Sequence, residues 1–337
     1  MSARIAIEVD ELTKQFPGGV RALDGVTFTV DEGEVFGYLG RNGAGKSTTV
    51  RILTTLLRPT SGTARVLGHD VSSEGGAVRK VFGAALQDAA LDELMTGREH
   101  LEMAARLAGR SKAQSVERAA ELLESFGLRA AADRIAAGYS GGMRRRLDVA
   151  MAMVRRPEVL FLDEPTTGLD PQGRRAVWDL VSDLRDTGST VFLTTQYLAE
   201  ADELSGRVAV VHDGRIAAIG APQDLKDRLG TTTVRIRVPD ADQQRIRDAV
   251  APNTVAPGAE GWLEITVRGG EAAVPAVVGH LTGAGAQVDR LSIRAPSLED
   301  VFVSLTGTQI ETSAGGADDG KITAVRRGLG VPSGPGR

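Results

Sequence analysis

A glycine-rich stretch at residues 40–48 constrains the fold of this chain more than any other feature. Its sequence, GRNGAGKST, matches the phosphate-binding pattern in which four residues separate a glycine from Gly-Lys-Ser or Gly-Lys-Thr. Residues 34–39 before it read as a short buried strand, and residues 48–57 after it carry apolar residues at helical spacing. A strand that turns through glycines into a helix directs backbone N–H groups at one point, where the helix dipole favours an anion. The stretch therefore predicts a phosphate-binding loop.

The residue types of this loop fit that chemistry. Gly40, Gly43 and Gly45 let the backbone curve around a phosphate because they carry no Cβ. Lys46 is expected to reach the outer phosphates, and Ser47 is placed to bring its hydroxyl to Mg²⁺. The residues expected to hold the phosphates are Gly40, Arg41, Asn42, Gly43, Ala44, Gly45, Lys46, Ser47 and Thr48.

The composition is that of an ordinary globular protein. The chain has 337 residues, of which 42% are hydrophobic and 25% charged, so it has room for two domains. A net charge of −4 argues against a whole-chain nucleic-acid binder, and the lack of cysteine excludes disulfides and thiolate metal sites. No stretch reaches the about 18 uninterrupted apolar residues that span a bilayer, and no signal peptide is evident. We therefore expect another chain to supply any membrane span.

A second glycine motif lies in a region of helical periodicity at about residues 91–156. The sequence YSGGM at residues 139–143 places Ser140 as a helix N-cap, and this helix N-terminus is a second potential anion site. Alone, Ser-Gly-Gly indicates a turn more often than a site. The three arginines at residues 144–146 are interpreted as a solvated helix face.

Two acidic residues follow a buried strand. Residues 159–162 form a continuous apolar run, typical of a parallel strand covered on both faces, and Asp163 and Glu164 come next. Acids at the carboxyl end of a central strand are costly unless they face a ligand or a metal. Asp163 can hold Mg²⁺ through water, and Glu164 can orient or deprotonate an attacking water. The structural alternative is that these acids cap the next helix.

The pattern of strands and helices restarts after residue 230. Strand-like runs alternate with helical segments up to residue 307, which indicates a small α+β domain. Regulation, dimer support, docking and stabilisation alone remain open as its role. Residues 308–337 are rich in Gly, Ser, Pro and charge, and we predict that this tail is disordered.

The order of these motifs resembles the ABC-type ATPase family. The phosphate loop is followed by Gln87, by the Ser-Gly-Gly signature, by Asp163 and Glu164, and by Gln196 after another apolar strand. The resemblance implies an α/β fold, that of a P-loop NTPase of the ABC-type ATPase class with a helical subdomain. It places an ABC-type nucleotide-binding domain at residues 1–229, its helical subdomain at about 90–156, and a small C-terminal α+β domain at 230–307.

The resemblance also implies roles for individual residues and two cofactors, ATP and Mg²⁺. The catalytic residues would be Glu164 as general base, with Gln196 and Lys46. The metal would be held by Ser47, Gln87 and Asp163. Besides the phosphate loop, the nucleotide would contact Phe16, which would stack on adenine, and Gln87, Ser140, Gly141, Gly142 and Asp170. The signature would act on the nucleotide of a second copy, so we expect a homodimer that sandwiches two ATP.

Gln196 departs from the family pattern, because most members have histidine there. A glutamine amide can donate a hydrogen bond to the γ-phosphate and accept another from the backbone. It cannot titrate near neutral pH, so any proton-shuttling role is removed. We therefore predict that hydrolysis persists and depends on Glu164.

Three stretches are similar to the daunorubicin/doxorubicin-resistance ATP-binding proteins, namely residues 97–101, 194–202 and 294–307. This similarity implies the ATP-hydrolysing subunit of a drug exporter, paired with a separate integral-membrane permease at the cytoplasmic face of the cell membrane. Residues 88–98 are the expected contact with the permease.

The alternatives are a soluble ABC-type ATPase acting on ribosomes or DNA, and a GTPase. A soluble ABC-type ATPase of this kind usually has two ATPase halves in tandem or a long coiled coil, and this chain has neither. A GTPase needs an Asn-Lys-x-Asp sequence that reads guanine, which this chain lacks. We expect no specific nucleic-acid partner.

Overall fold

The computed structural model describes residues 4–87, 91–239, 243–257, 262–285, 288 and 290–307. The predicted tail at 308–337 lies outside these residues. The strands are β1 (Ile5–Gln15), β2 (Arg21–Asp31), β3 (Val35–Gly40), β4 (Ser61–Val66), β5 (His69–Asp70), β6 (Phe82–Ala85), β7 (Val159–Asp163), β8 (Thr190–Thr195), β9 (Arg207–His212), β10 (Arg215–Gly220), β11 (Thr231–Arg237), β12 (Thr254–Pro257), β13 (Trp262–Arg268) and β14 (Arg290–Arg294).

Helices follow most of these strands. They are α1 (Lys46–Leu53), α2 (Gly75–Val81), α3 (Gly97–Leu107), α4 (Lys112–Ser125), α5 (Gly141–Ala152), α6 (Pro171–Asp186), α7 (Leu198–Leu204), α8 (Pro222–Arg228), α9 (Gln243–Ala249), α10 (Val274–Gly283) and α11 (Leu298–Thr306). Within the described residues, no helix combines the length and apolar character needed to cross a membrane.

The central sheet has the strand order β10-β9-β3-β8-β7-β6, and all its described neighbours are parallel except the β9–β10 hairpin. Strands β3, β7 and β8 are buried along their whole length, as their continuous apolar runs predict. The carboxyl ends of β3, β6, β7 and β8 therefore meet at one edge of the sheet. Ligands bind at this edge in open α/β sheets. The candidate site residues there are Gly40 at the end of β3, Gln87 after β6, Glu164 after β7 and Gln196 after β8.

Two further layers cover the central sheet. One is an antiparallel sheet of order β2-β1-β4-β5, which packs with α1 and strands β3 and β8 in one apolar cluster. The other consists of the helical region α3–α5 and α6, which packs on the opposite side through Leu101, Leu147 and Val181. Helices α3 and α4 begin at capping boxes whose N-cap residues are Thr96 and Ser111.

The C-terminal sheet is antiparallel, with the order β12-β13-β11-β14, and its core is separate from the other clusters. Helix α11 does not join that core. It packs instead against α7, α8 and the central strands, where Phe302 is fully buried in a cluster with Leu39 and Leu198. The Phe302 ring also meets the His212 ring edge-on, with 6.5 Å between centroids. The last described helix of the chain thus completes the core beside the central sheet.

Replacing Phe302 by alanine should destabilise the protein by about 3–5 kcal/mol, because it removes a fully buried aromatic ring and leaves a cavity. Equilibrium unfolding in urea measures this change in the free energy of unfolding. Leu305→Ala on the same helix is the matched control, since Leu305 is 42% exposed. If both variants lost the same free energy of unfolding, the burial of Phe302 would not contribute specifically to stability.

The structure confirms the strands predicted at residues 34–39 and 159–162, and the helices predicted after the phosphate loop and at about residues 91–156, with differences at their ends. Helix α1 ends at Leu53 rather than at residue 57, and Thr55 beyond it takes a left-handed conformation with φ of 63°. The short helices α2, α7 and α8 and the short strands β5 and β12 were not predicted, because elements of this length carry too little periodicity. The domain boundary near residue 229 remains a prediction.

Candidate active site

The phosphate loop runs from the end of β3 to the first turn of α1, as predicted. Gly45 has φ of 102°, and a Cβ at this position would lie 2.5 Å from the carbonyl oxygen of Ala22. A Cβ on Gly40 would lie 2.6 Å from the carbonyl oxygen of Val211. Both glycines are therefore required by close packing against neighbouring strands, in addition to any approach of a phosphate.

Lys46 and Glu164 form a buried ion pair at the centre of the site. The Lys46 Nζ lies 2.9 Å from the Glu164 Oε1, and the two side chains are 3% and 6% exposed. Nζ also donates to the carbonyl oxygens of Gly40 at 2.9 Å and Arg41 at 3.1 Å. Two loop carbonyl oxygens and Glu164 thus surround the ammonium group, and the structure brings the two predicted catalytic residues into direct contact.

Asp163 lies beside the loop hydroxyl that was predicted to share its metal. Its Oδ1 accepts hydrogen bonds from Ser47 Oγ at 3.3 Å and from Thr194 Oγ1 at 2.5 Å. Among the described residues there is no group of three or more His, Cys, Asp or Glu that could hold a metal alone. One carboxylate and one hydroxyl nevertheless suit Mg²⁺, which binds proteins through one or two carboxylates and completes its shell with phosphates and water. Sequence analysis missed Thr194, although its place at the end of a parallel strand is a usable signal.

Glu164 is held in an unusual backbone conformation, with φ of 47°. Its N–H donates to both the carbonyl oxygen and the hydroxyl of Thr194, at 3.1 and 3.0 Å. The Thr167 hydroxyl donates to Oε2 at 3.1 Å. Asp170, not Glu164, is the N-cap of α6 and accepts from the Gly173 N–H at 2.7 Å. The alternative that the acid pair caps the next helix is therefore excluded.

One cleft of about 390 Å³ gathers most of the predicted nucleotide contacts. Phe16 lies at one side of it, half-buried, with the Lys14 Nζ 5.3 Å from its ring centroid. The other predicted residues that line this cleft are Asn42, Gly43, Gly45, Lys46, Ser47, Thr48, Gln87 and Glu164. The adjoining part of the chain, residues 88–90, lies outside the described residues.

Gln196 does not line this cleft but a neighbouring one of about 380 Å³, which shares Asn42 and Gly43 with it. Arg41, Asn42, His212 and Asp213 line the same space. The next residue, Tyr197, packs beneath the Arg174 guanidinium, whose carbon lies 4.7 Å from the ring centroid. Arg174 belongs to α6, so a cation–π contact fixes the segment that carries Gln196 against the helix that follows Asp170.

The pH dependence of ATP hydrolysis should be nearly the same in Gln196→His and the parent. Glutamine does not titrate near neutral pH, and we expect hydrolysis to depend on Glu164 rather than on this position. The rate is measured from pH 6 to pH 9 in both proteins, and since His212 lines the same cleft, only the difference between them is informative. A large change in the profile on introducing histidine would contradict this assignment.

The signature residues lie away from the cleft that holds Lys46. Ser140 is the N-cap of α5, where its Oγ accepts from the Met143 N–H at 3.3 Å. Gly142 lies against the start of α6, and a Cβ there would be 2.9 Å from the Gly173 Cα. The structure therefore groups Ser140, Gly141 and Gly142 with the turn of Asp170, and none of them is among the residues that line the Lys46 cleft.

The interpretation of residues 144–146 as a solvated face is wrong for Arg145, which is buried. It pairs with Asp148 one turn further along α5, at 2.8 Å. Burial raises the pKa of the Asp148 carboxyl to about 6, against the opposing attraction of Arg145, and it lowers the pKa of the guanidinium. The acid three residues after this arginine is a sequence signal for the ion pair, but it does not show that the pair is buried.

The chain is similar to known proteins along most of its length. Residues 23–167 match the family model of the ABC transporter, and residues 220–306 match the C-terminal domain of DrrA1-3-like ATP-binding proteins. The daunorubicin/doxorubicin resistance ATP-binding protein DrrA of Streptomyces peucetius is 47% identical over 307 residues, covering 90% of this chain and 92% of that protein. The chain belongs to the ABC transporter ATP-binding proteins.

Further similarity supports the same family. The doxorubicin resistance ATP-binding protein DrrA of Mycobacterium tuberculosis is 41% identical over 318 residues, covering 91% of this chain and 96% of that protein. A solved dimer of the ATP-binding cassette MJ0796, bound to ADP and Pi in a post-hydrolysis state, superposes with a TM-score of 0.58. It is 25% identical and covers 64% of this chain and 98% of its own. These findings confirm the P-loop fold and identify the chain as an ABC-type ATPase that binds ATP.

Proposed function

We propose that this ABC-type ATPase is the ATP-hydrolysing subunit of a drug exporter that acts through a separate membrane permease. The observation that carries the proposal is the similarity to two resistance proteins over about nine-tenths of the chain, at 47% and 41% identity. This similarity includes the C-terminal domain, which matches a model specific to DrrA-like proteins. The transported molecules would be drugs of the daunorubicin and doxorubicin type.

In the proposed reaction, Glu164 accepts a proton from the attacking water as general base. Its Oε1 lies 2.9 Å from the Lys46 Nζ, so the carboxylate is held beside the phosphate loop. Lys46 and the N-terminus of α1 stabilise negative charge on the phosphates, and Gln196 donates a hydrogen bond to the γ-phosphate. Phe16 supplies an aromatic face for adenine. Ser47, Asp163 and Gln87 would hold Mg²⁺, which would supply positive charge to the phosphates.

A homodimer is proposed because the two groups of site residues on one chain lie apart. The cleft holds Lys46 and Glu164, whereas Ser140 and Gly141 are exposed at the start of α5. Solved cassettes of the family form dimers, which supports a sandwich in which the signature of one copy meets the nucleotide of the other. Two ATP would then close the two copies together.

The permease contact is proposed at the start of the helical region, on the cytoplasmic side of the membrane. Leu94 is 82% exposed there, between Gln87 and helix α3. Ile135, which pairs with Thr96 in an isolated bridge, is 46% exposed, so this segment offers two exposed apolar side chains to a partner. The segment follows Gln87 in the chain, which would link the partner to the site. The C-terminal domain would support docking or regulation through α11.

Co-expression with the membrane protein encoded next to it tests this function. The complex, reconstituted in vesicles, should hydrolyse ATP faster when daunorubicin or doxorubicin is added, and Glu164→Gln should abolish the added rate. Charge substitutions at residues 91–98 should weaken permease binding without lowering the ATPase rate of the isolated chain. The proposal would be refuted if the complex did not form, or if neither drug changed its rate of ATP hydrolysis.

A further inference from the structure

Arg145 uses four of its five N–H donors on four different acceptors. Nη1 donates to the Leu86 carbonyl oxygen at 2.6 Å and to the Asp148 Oδ2 at 2.8 Å. Nη2 donates to the carbonyl oxygens of Ala85 at 3.2 Å and Asp163 at 3.0 Å. The guanidinium is buried, so these charge-assisted hydrogen bonds are shielded from water.

The three carbonyl groups belong to the segments that deliver the site residues. Ala85 ends β6, and Leu86 directly precedes Gln87. Asp163 ends β7 and directly precedes Glu164. A single side chain on the signature helix therefore holds the backbone at both points where the chain leaves the central sheet for the cleft.

We propose that Arg145 is a positioning residue that couples the signature helix to Gln87 and Glu164 of the same chain. The inference depends on the proposed roles of those two residues and of the dimer. In a dimer, α5 presents its N-terminus to the nucleotide of the other copy. A shift of α5 on closure then moves the backbone beside Gln87 and Glu164, so each nucleotide influences the geometry of the other site.

The shape of the side chain explains why arginine suits this position. A planar guanidinium directs its donors in fixed directions and reaches the ends of two neighbouring strands at once, whereas an ammonium group is a point charge with three donors. Asp148 supplies the compensating charge that a buried cation requires.

The neighbouring arginines provide a contrast on the same helix. Arg144 donates to the Ala137 carbonyl oxygen at 3.2 Å, and Arg146 donates to the Phe126 carbonyl oxygen at 3.1 Å. Both acceptors lie within the helical region. Removing either arginine changes the helix surface without touching β6 or β7, which makes Arg146→Gln a matched control.

The test compares the parent, Arg145→Lys, Arg145→Gln, Arg146→Gln and Glu164→Gln as full chains. ATP hydrolysis gives kcat and the Hill coefficient for ATP, binding of a non-hydrolysable ATP analogue gives the affinity, and thermal unfolding reports folding. We expect kcat to fall about tenfold to a hundredfold in both Arg145 variants, since small displacements of catalytic groups cost this much. The affinity should stay within about twofold, and the Hill coefficient should fall from above 1 to 1.

The outcomes separate this inference from the function on which it depends. Arg145→Lys keeps the charge and the fold, so a low kcat at an unchanged unfolding temperature supports positioning rather than general stability. Arg145 variants with the kcat and Hill coefficient of Arg146→Gln, or a parent without cooperativity, would overturn the coupling. A parent that does not hydrolyse ATP, or whose hydrolysis survives Glu164→Gln, would instead contradict the proposed catalytic roles.

Discussion

Replacing Glu164 by glutamine is expected to lower the rate of ATP hydrolysis by about 10²–10⁴-fold, the usual contribution of a general base. The amide has the size of the carboxylate and can still accept a hydrogen bond from Thr167, but it cannot take a proton from water. Lys46 would keep its contacts with the carbonyl oxygens of Gly40 and Arg41. ATP binding should therefore survive, and the ATP-bound dimer should accumulate. Phosphate release and light scattering with Mg-ATP measure the two effects.

Glu158→Gln is the matched control for this variant. Glu158 is exposed and precedes the amino end of β7, whereas Glu164 follows the carboxyl end of the same strand. The control makes the same change of charge outside the cleft and should leave the rate unchanged. A Glu164→Gln protein that kept more than about a tenth of the parent rate would not depend on this carboxylate as its base.

Replacing Lys46 by methionine should weaken ATP binding by about a hundredfold or more and make hydrolysis undetectable. The substitution removes the ammonium group that would bind the phosphates. It also leaves the Glu164 carboxylate without its ion-pair partner, which lies 2.9 Å away in the parent. An uncompensated buried charge costs about 3–5 kcal/mol, so the variant should also unfold more easily. Equilibrium dialysis with labelled ATP measures the affinity, and urea unfolding measures the stability.

The double variant Lys46→Met with Glu164→Gln separates these two effects. It removes both charges, so stability should largely return while ATP binding remains weak. Lys80→Met is the control for losing an exposed lysine, since Lys80 lies on α2 outside the cleft. If the double variant were as unstable as Lys46→Met alone, the unpaired Glu164 carboxylate would not be the cause of the lower stability.

The phosphate loop, the acid pair and the central strands could be predicted because each is specified by residues close together in sequence. The glycine pattern with its flanking strand and helix left few alternatives for residues 40–48. Strand β7 was evident from its apolar run, and the acids at its end implied a ligand. Their meeting in one cleft follows from parallel pairing, in which carboxyl ends share an edge.

The contacts that support the site could not be predicted, because they depend on pairs distant in sequence. Thr194 fixes Glu164 across two strands, and Arg145 reaches carbonyl groups 60 and 18 residues away. A run of arginines has no periodicity that shows which one is buried. The need for glycine at Gly142 is similar, since it arises from contact with Gly173 on another helix.

The place of helix α11 bears on how such a chain can be recombined. The matched C-terminal model spans residues 220–306 and so includes both α8 and α11, which pack with Leu39 and Leu198 of the ATPase part. In a chimera, the residue of a relative that corresponds to Phe302 would have to pack against Leu39 and Leu198 of this chain. Exchange of whole C-terminal segments should therefore succeed only between chains whose α7 surfaces match. Exchanges are better confined to residues 231–294, between α8 and α11, so that both of these helices stay with their native partner.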